Sequence, residues 1–202
     1  MIYICNILGF NKIPLRYVSY KKIKDIYKNI YGNKYLDYNL EHIVPQSKIK
    51  NNKLLRRDMH NILLYPRMLN THRSNYKYTN NDFIYQNSLL LDEQGFICNN
   101  SLYIPEKNSI KTSSMKIFCP NTSYRGEISR SCMYFIYTYE KYTNMVLKDV
   151  IDLDTLIMWN ELHPVTELEE YKNKIIYDNQ GNENIFISQP KKIYNYINKF
   201  II

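Results

Sequence analysis

The chain is expected to fold as an α+β domain, and three observations predict it. Two extended apolar segments, 36–44 and 59–65, are separated by a polar connection, and the second runs into Pro66. Proline fixes φ near the helical value and is favoured at a first helical position, so residues 66–73 read as a short helix. Around this strand, strand and helix unit, over about residues 36–75, apolar spacing favours further helices, and two short apolar runs add a small sheet.

The elements follow in order. The apolar opening, Met1 to Phe10, reads as a first strand, because it lacks the basic start and small-residue cleavage site of a signal peptide. Ile23, Ile26, Tyr27 and Ile30 recur at helical spacing, with Ser19 as cap and Gly32 as stop, which predicts a core-packing helix over 19–31. The connection from Gln46 to Asp58 is polar and basic and reads as a loop. Phe96-Ile97-Cys98 and Met115 to Cys119 read as strands around an Asn/Ser-rich stretch. Ile128, Cys132, Phe135, Ile136 and Tyr139 mark one face of a helix after Arg125. Asp152 can cap a helix carrying Leu153, Leu156, Ile157 and Trp159. Thr166 with Glu169 forms a capping box for a helix that would bury Leu168, Tyr171 and Ile175 and stop at Gly181. The last dozen residues are amphipathic and basic. No linker composition and no internal repeat divides the 202 residues, so we read one domain over 1–202.

Charge and composition narrow the partners. The chain has no alanine, five glycines and 21 tyrosines, a bias that AT-rich coding explains, so tyrosine abundance alone carries no functional weight. The net charge is +8 and the pI about 9.1, which points to an anionic partner. Between Lys48 and Asn80 eight basic residues (Lys48, Lys50, Lys53, Arg56, Arg57, Arg67, Arg73, Lys77) face one acid, Asp58. Such a stretch suits backbone contacts to nucleic acid, which give affinity without sequence choice. No run of 18 apolar residues exists, so no membrane helix is expected. Cys5, Cys98, Cys119 and Cys132 show no C-x-x-C spacing and no disulfide frame, which favours an intracellular or viral setting over secretion.

Glu41-His42, Asn61 and Asn70 to Arg73 lie within this basic stretch or beside it. A neutral imidazole can take a proton from water near pH 7, so His42 is the natural general base. Glu41 supplies an anionic hard oxygen and Asn70 a neutral one, a donor pair suited to one magnesium ion per site that keeps several waters, other divalent ions being alternatives. On a helix from Pro66, Asn70 and Arg73 share one face, with the guanidinium set for phosphate. This is the donor set of a one-metal phosphodiester hydrolase. Neighbouring strand residues point to opposite faces, so a twist or bulge is expected at Glu41-His42, with Pro45 ending the strand just beyond.

The segments YNLEHIVPQS (38–47), RRDMHNILLYP (56–66) and LNTHRSNY (69–76) resemble the bacterial endonuclease I family, non-specific nucleases with a ββα-metal (His-Me finger) site akin to HNH endonucleases. Arg125-Gly126-Glu127-Ile128-Ser129-Arg130 resembles the family's RGDIAR, Trp159 to Val165 its W-x-x-x-x-P-V, and Gln180 to Phe186 its QGNRNPF. The resemblance implies cleavage of DNA, and often RNA, with magnesium, to 5′-phosphate ends. On matching positions, His42 is the base, Glu41 and Asn70 the metal ligands, Arg73 a phosphate contact, and Asn61 a residue that steadies the histidine. Lys48, Lys50, Lys53, Arg56, Arg57, Arg67 and Lys77 would form the nucleic-acid rim of a monomer with no membrane contact. Arg125 and Arg130 are expected in ion pairs, His60 and His163 in structural hydrogen bonds, and His72 near metal or phosphate. A catalytically inactive nucleic-acid-binding domain of the same fold and a site-specific HNH enzyme stay open. So does an inhibitor protein that restrains the activity.

Overall fold

The computed structural model describes residues 15–49, 52–80, 88–91, 95–98 and 117–197. Helices α1 (Tyr20–Tyr31), α2 (Gln46–Ile49) and α3 (Arg67–Arg73) accompany strands β1 (Tyr38–His42) and β2 (Ile62–Pro66). Short strands follow, β3 (Lys77–Tyr78), β4 (Ser88–Leu91), β5 (Gly95–Cys98) and β6 (Ile117–Pro120). The C-terminal part is helical: α4 (Thr122–Thr138), α5 (Thr143–Asp149), α6 (Leu153–Leu162), α7 (Glu167–Gln180), α8 (Ile185–Ser188) and α9 (Lys192–Ile197). Among the described residues, mixed helices and two small sheets make this an α+β fold.

β1 and β2 pair antiparallel, Tyr38 opposite Pro66 through His42 opposite Ile62. Both faces of β2 are buried, and its residues divide between two cores. Ile62 and Leu64 join Ile23, Ile26 and Tyr27 of α1, whereas Leu63 and Tyr65 join Ile128, Cys132 and Phe135 of α4. Because strand side chains alternate, Tyr38, Leu40 and His42 of β1 face the α1 side and Asn39 and Glu41 the α4 side. Of the twist or bulge expected at Glu41-His42, the register excludes the bulge. The ladder runs residue by residue through Glu41 and His42 and stops in a bend at Ile43 and Val44, before Pro45.

The second sheet has the order β3-β6-β5-β4, parallel between β3 and β6 and antiparallel elsewhere. Phe96-Ile97-Cys98 therefore finds its partners in Phe118 and Cys119 and in β4. The opening segment 1–10, Met115 and Lys50 lie outside the described residues.

α4 is buried from Ile128 to Thr138 on every side and is the axis on which α5, α6, α8 and the Met59–Asn61 turn pack. Its Gly126 allows close approach: a Cβ there would stand 2.7 Å from the His163 carbonyl oxygen and 2.6 Å from Arg130 Nη2. Ser19 and Asp152 cap α1 and α6 as expected, and Thr166 with Glu169 makes the capping box of α7, which Gly181 closes in the left-handed region at φ 89°.

α7 buries a different face from the expected one, and of the three residues expected inside only Ile175 packs on a core. Leu168 and Tyr171 are 46% and 53% exposed, while Glu169, Lys172, Asn173, Ile176 and Gln180 are buried. Polar bonds hold this face. Glu169 takes Arg130 Nε and Nη2 at 2.8 and 2.7 Å, and Lys172 Nζ reaches Glu127 at 2.5 Å and the Ile62 carbonyl at 2.8 Å. The connection from Gln46 to Asp58 also differs from a plain loop, since it holds α2 and a helical turn over Leu55–Arg57. α9 packs on the body through Ile193, Tyr196 and Ile197.

Candidate active site

His42 ends β1 with its ring buried between the strand and the following connection. Its Nε2 lies 2.7 Å from the Arg56 carbonyl oxygen. A carbonyl only accepts, so Nε2 carries the proton and Nδ1 keeps a lone pair. The Gln46 amide nitrogen sits 3.1 Å from Nδ1 and donates to it. Burial lowers the imidazole pKa below the ordinary 6.5, the Arg56 carbonyl opposes this, and the Arg56 and Arg73 charges add to it. His42 is therefore neutral at pH 7, with the free nitrogen on the side of Gln46.

Glu41 leaves β1 on the other face and meets Arg73 at the end of α3 in a buried ion pair. Arg73 Nη1 also donates to the His42 carbonyl at 2.8 Å, and Nη2 to the Ile43 carbonyl at 2.6 Å. Its guanidinium lies over the Tyr78 ring, 4.4 Å from the centroid, and the residue is 1% exposed. Where a phosphate contact was expected, the guanidinium of this structure is turned inward onto protein oxygens. The fork spans one carboxylate and two carbonyls and fixes the end of β1 to α3. Burial raises the Glu41 pKa, and Arg73 opposes that shift by charge and hydrogen bond.

Asn70 lies one turn before Arg73 on α3, half-buried, at the edge of an open cavity shared with α1 and β1. Its amide makes no hydrogen bond among the described residues. No hydrogen bond among them joins the His42 ring to Glu41 or Asn70, and no cluster of three His, Cys, Asp or Glu residues suited to a metal occurs among them. Asn61 acts on the backbone beyond the histidine, not on its ring. Its Oδ1 accepts from Val44 N at 2.8 Å, its Nδ2 donates to the Val44 carbonyl at 3.1 Å, and its own carbonyl takes Ile43 N at 3.0 Å.

The turn that carries Asn61 rests on a buried polar network. Asp58 accepts from the hydroxyls of Tyr134 and Tyr139 at 2.8 and 2.6 Å, from Gln180 Nε2 at 2.8 Å and from His60 N at 3.0 Å. Gln180 Oε1 takes Met59 N, and the His60 ring meets the Asn182 carbonyl at 3.0 Å. His60 is structural, as expected. The segments 58–61 and 180–182, far apart in sequence, form one hydrogen-bonded unit. Arg130 is in its expected ion pair with Glu169, whereas Arg125 holds Asn80 Oδ1 at 2.8 Å, an atom shared with Trp159 Nε1.

The basic residues spread around this site. Lys53 and Arg67 are exposed, and Lys48 pairs with Asp149 at 3.6 Å. Arg57 lies over Tyr17 with its guanidinium carbon 4.5 Å from the ring centroid, and Arg56 and Lys77 are half-buried. The side chain of His72 is outside the described set. Sequence reasoning missed Gln46 and the Arg56 carbonyl, and a backbone carbonyl leaves no residue signal to find. Cys119 and Cys132 are buried. No helix among the described residues is long and apolar enough to cross a membrane.

No curated protein sequence matches the chain significantly. The family model of endonuclease I matches residues 6–191 and so spans β1, β2, α3 and the helices that support them. With a polarised histidine, a locked glutamate and that match along most of its length, the chain belongs to the endonuclease I family of nucleases.

Proposed function

We propose that the chain is a magnesium-dependent endonuclease that cuts DNA, and RNA as a second substrate, with little sequence preference and leaves 5′-phosphate ends. Its reacting unit is β1, β2 and α3, a ββα-metal arrangement over about residues 36–75 within one domain, 1–202. One observation carries the reading: the Arg56 carbonyl holds the Nε2 proton of a buried, neutral His42, which leaves Nδ1 as a base on the side of Gln46.

Glu41 and Asn70 would hold the ion. One Glu41 oxygen is tied by Arg73, the Asn70 amide has no partner among the described residues, and both are hard oxygen donors. When bound, magnesium supplies charge to a phosphate oxygen and to the departing oxygen. The chain's own steps are these. Gln46 occupies the His42 lone pair in the free protein and yields it to the attacking water. His42 Nδ1 takes the water's proton as oxygen bonds to phosphorus and the bond from phosphorus to O3′ breaks, while Nε2 stays on Arg56. Arg73 keeps Glu41 and the His42 and Ile43 carbonyls in place, and Asn61 keeps the bend after His42. A phosphate reached from both faces of β1 lies across its C-terminal end. Lys53, Arg56, Arg57, Arg67 and Lys77 supply the backbone contacts, and Lys48 and Lys50 add to the positive charge of the same stretch of sequence.

Supercoiled plasmid tests this. Nicking in magnesium, its loss in EDTA and a smear of products are expected. Binding without nicking would favour the inactive relative, and discrete bands a site-specific enzyme.

A further inference from the structure

Asn70 borders a cavity of about 520 Å³ whose walls also include Tyr20 and Lys24 of α1, Tyr38 and Asn39 of β1, Arg67 of α3 and two leucines. Among the described residues no carboxylate lines it, and both charges are positive. Lys24 is exposed and in no ion pair among the described residues, with Nζ 5.1 Å from the Tyr20 ring centroid. Arg67 spends one nitrogen on the Leu36 carbonyl at 3.3 Å. Tyr20, at 38% exposure, keeps an aromatic ring at the rim. Phenol rings beside cations that have no carboxylate partner among the described residues are what a base and its phosphate require, since stacking is indifferent to sequence and cations take the backbone.

Size and place narrow the ligand. The cavity is in the range of small-ligand pockets and takes one nucleotide, whereas a base held within a duplex stack has no ring face to offer. It begins at Asn70, where the reading above puts the ion and the scissile phosphate. We propose that this cavity is a subsite for an unpaired nucleotide flanking the cut, with the base against Tyr20 and Tyr38 and its phosphate on Lys24 and Arg67. The enzyme then prefers single strands. The proposal rests on the nuclease reading, but its test does not use cleavage.

The full chain in EDTA is titrated into a fluorescein-labelled oligothymidine and, separately, into a labelled duplex hairpin. The Tyr20→Ala/Lys24→Ala variant should bind the single strand about tenfold more weakly and the duplex less than about threefold more weakly. Tyr20→Phe should bind the single strand as the wild type does. Lys24→Gln alone changes an exposed helix position, keeps the fold, and should weaken single-strand binding more than duplex binding. Equal losses on both ligands, or single-strand binding unchanged in the double variant, overturn the subsite. Absence of nicking in magnesium would instead overturn the reading on which it rests.

Discussion

Arg73→Ala separates an anchor from a phosphate contact, because the two roles predict different losses. The wild-type guanidinium is 1% exposed and joins the Glu41 carboxylate to the His42 and Ile43 carbonyls. Alanine strands a buried carboxylate, which costs about 3–5 kcal/mol, and leaves two carbonyls without donors. We take about 4 kcal/mol, a large share of the roughly 5–15 kcal/mol that holds a domain together. In urea unfolding followed by Trp159 fluorescence, a slope of about 2 kcal/mol per molar places the midpoint about 2 M lower. Adding Glu41→Gln removes the stranded charge and should return about half of that loss. Arg73→Lys keeps the charge but loses the fork, and should fall about 2 kcal/mol. A midpoint unchanged within about 0.3 M, with cleavage lost, would show that Arg73 serves substrate and would refute this assignment.

Further outcomes follow from the same contacts. Burial lowers the His42 pKa from 6.5, so the base stays unprotonated to lower pH than a free imidazole, and activity should persist at pH 6.5 and fall only below it. A rate profile half-lost above pH 6.5 would contradict that sign. Gly126→Ala would put a methyl group 2.7 Å from the His163 carbonyl oxygen and 2.6 Å from Arg130 Nη2, so thermal unfolding should show a loss of about 2 kcal/mol. Stability equal to wild type would mean that α6 shifts freely. Tyr139→Phe removes the donor 2.6 Å from Asp58 and should cost about 1–2 kcal/mol while leaving magnesium dependence unchanged, read by urea unfolding and plasmid nicking.

Most elements were legible because their signals are local. Ser19, Asp152, Thr166 with Glu169, and Gly181 each mark a helix end, and each stands there. α7 shows the limit of apolar periodicity. Its inner face carries Glu169, Lys172, Asn173 and Gln180, whose partners lie 11 to 122 residues away, so Leu168 and Tyr171, which seemed buried, face solvent. The same holds at the site. Residue types pointed to Glu41, His42, Asn61 and Asn70. They did not reveal that Arg73 turns inward, that Asn61 grips Val44, or that a carbonyl from Arg56 sets the histidine tautomer. Those depend on pairings that no short window contains. The bulge expected between Glu41 and His42 assumed one common face, whereas the strand stays regular and each residue is held from its own side.

The central claim is that His42 Nδ1 takes the proton from the attacking water. Single-turnover cleavage in saturating magnesium, with His42→Ala beside the wild type and DNA affinity measured in parallel, tests it most directly. The account predicts a rate lower by about 10²–10⁴-fold at an affinity within about twofold. A rate within tenfold of the wild type, or a loss carried wholly by affinity, would contradict it.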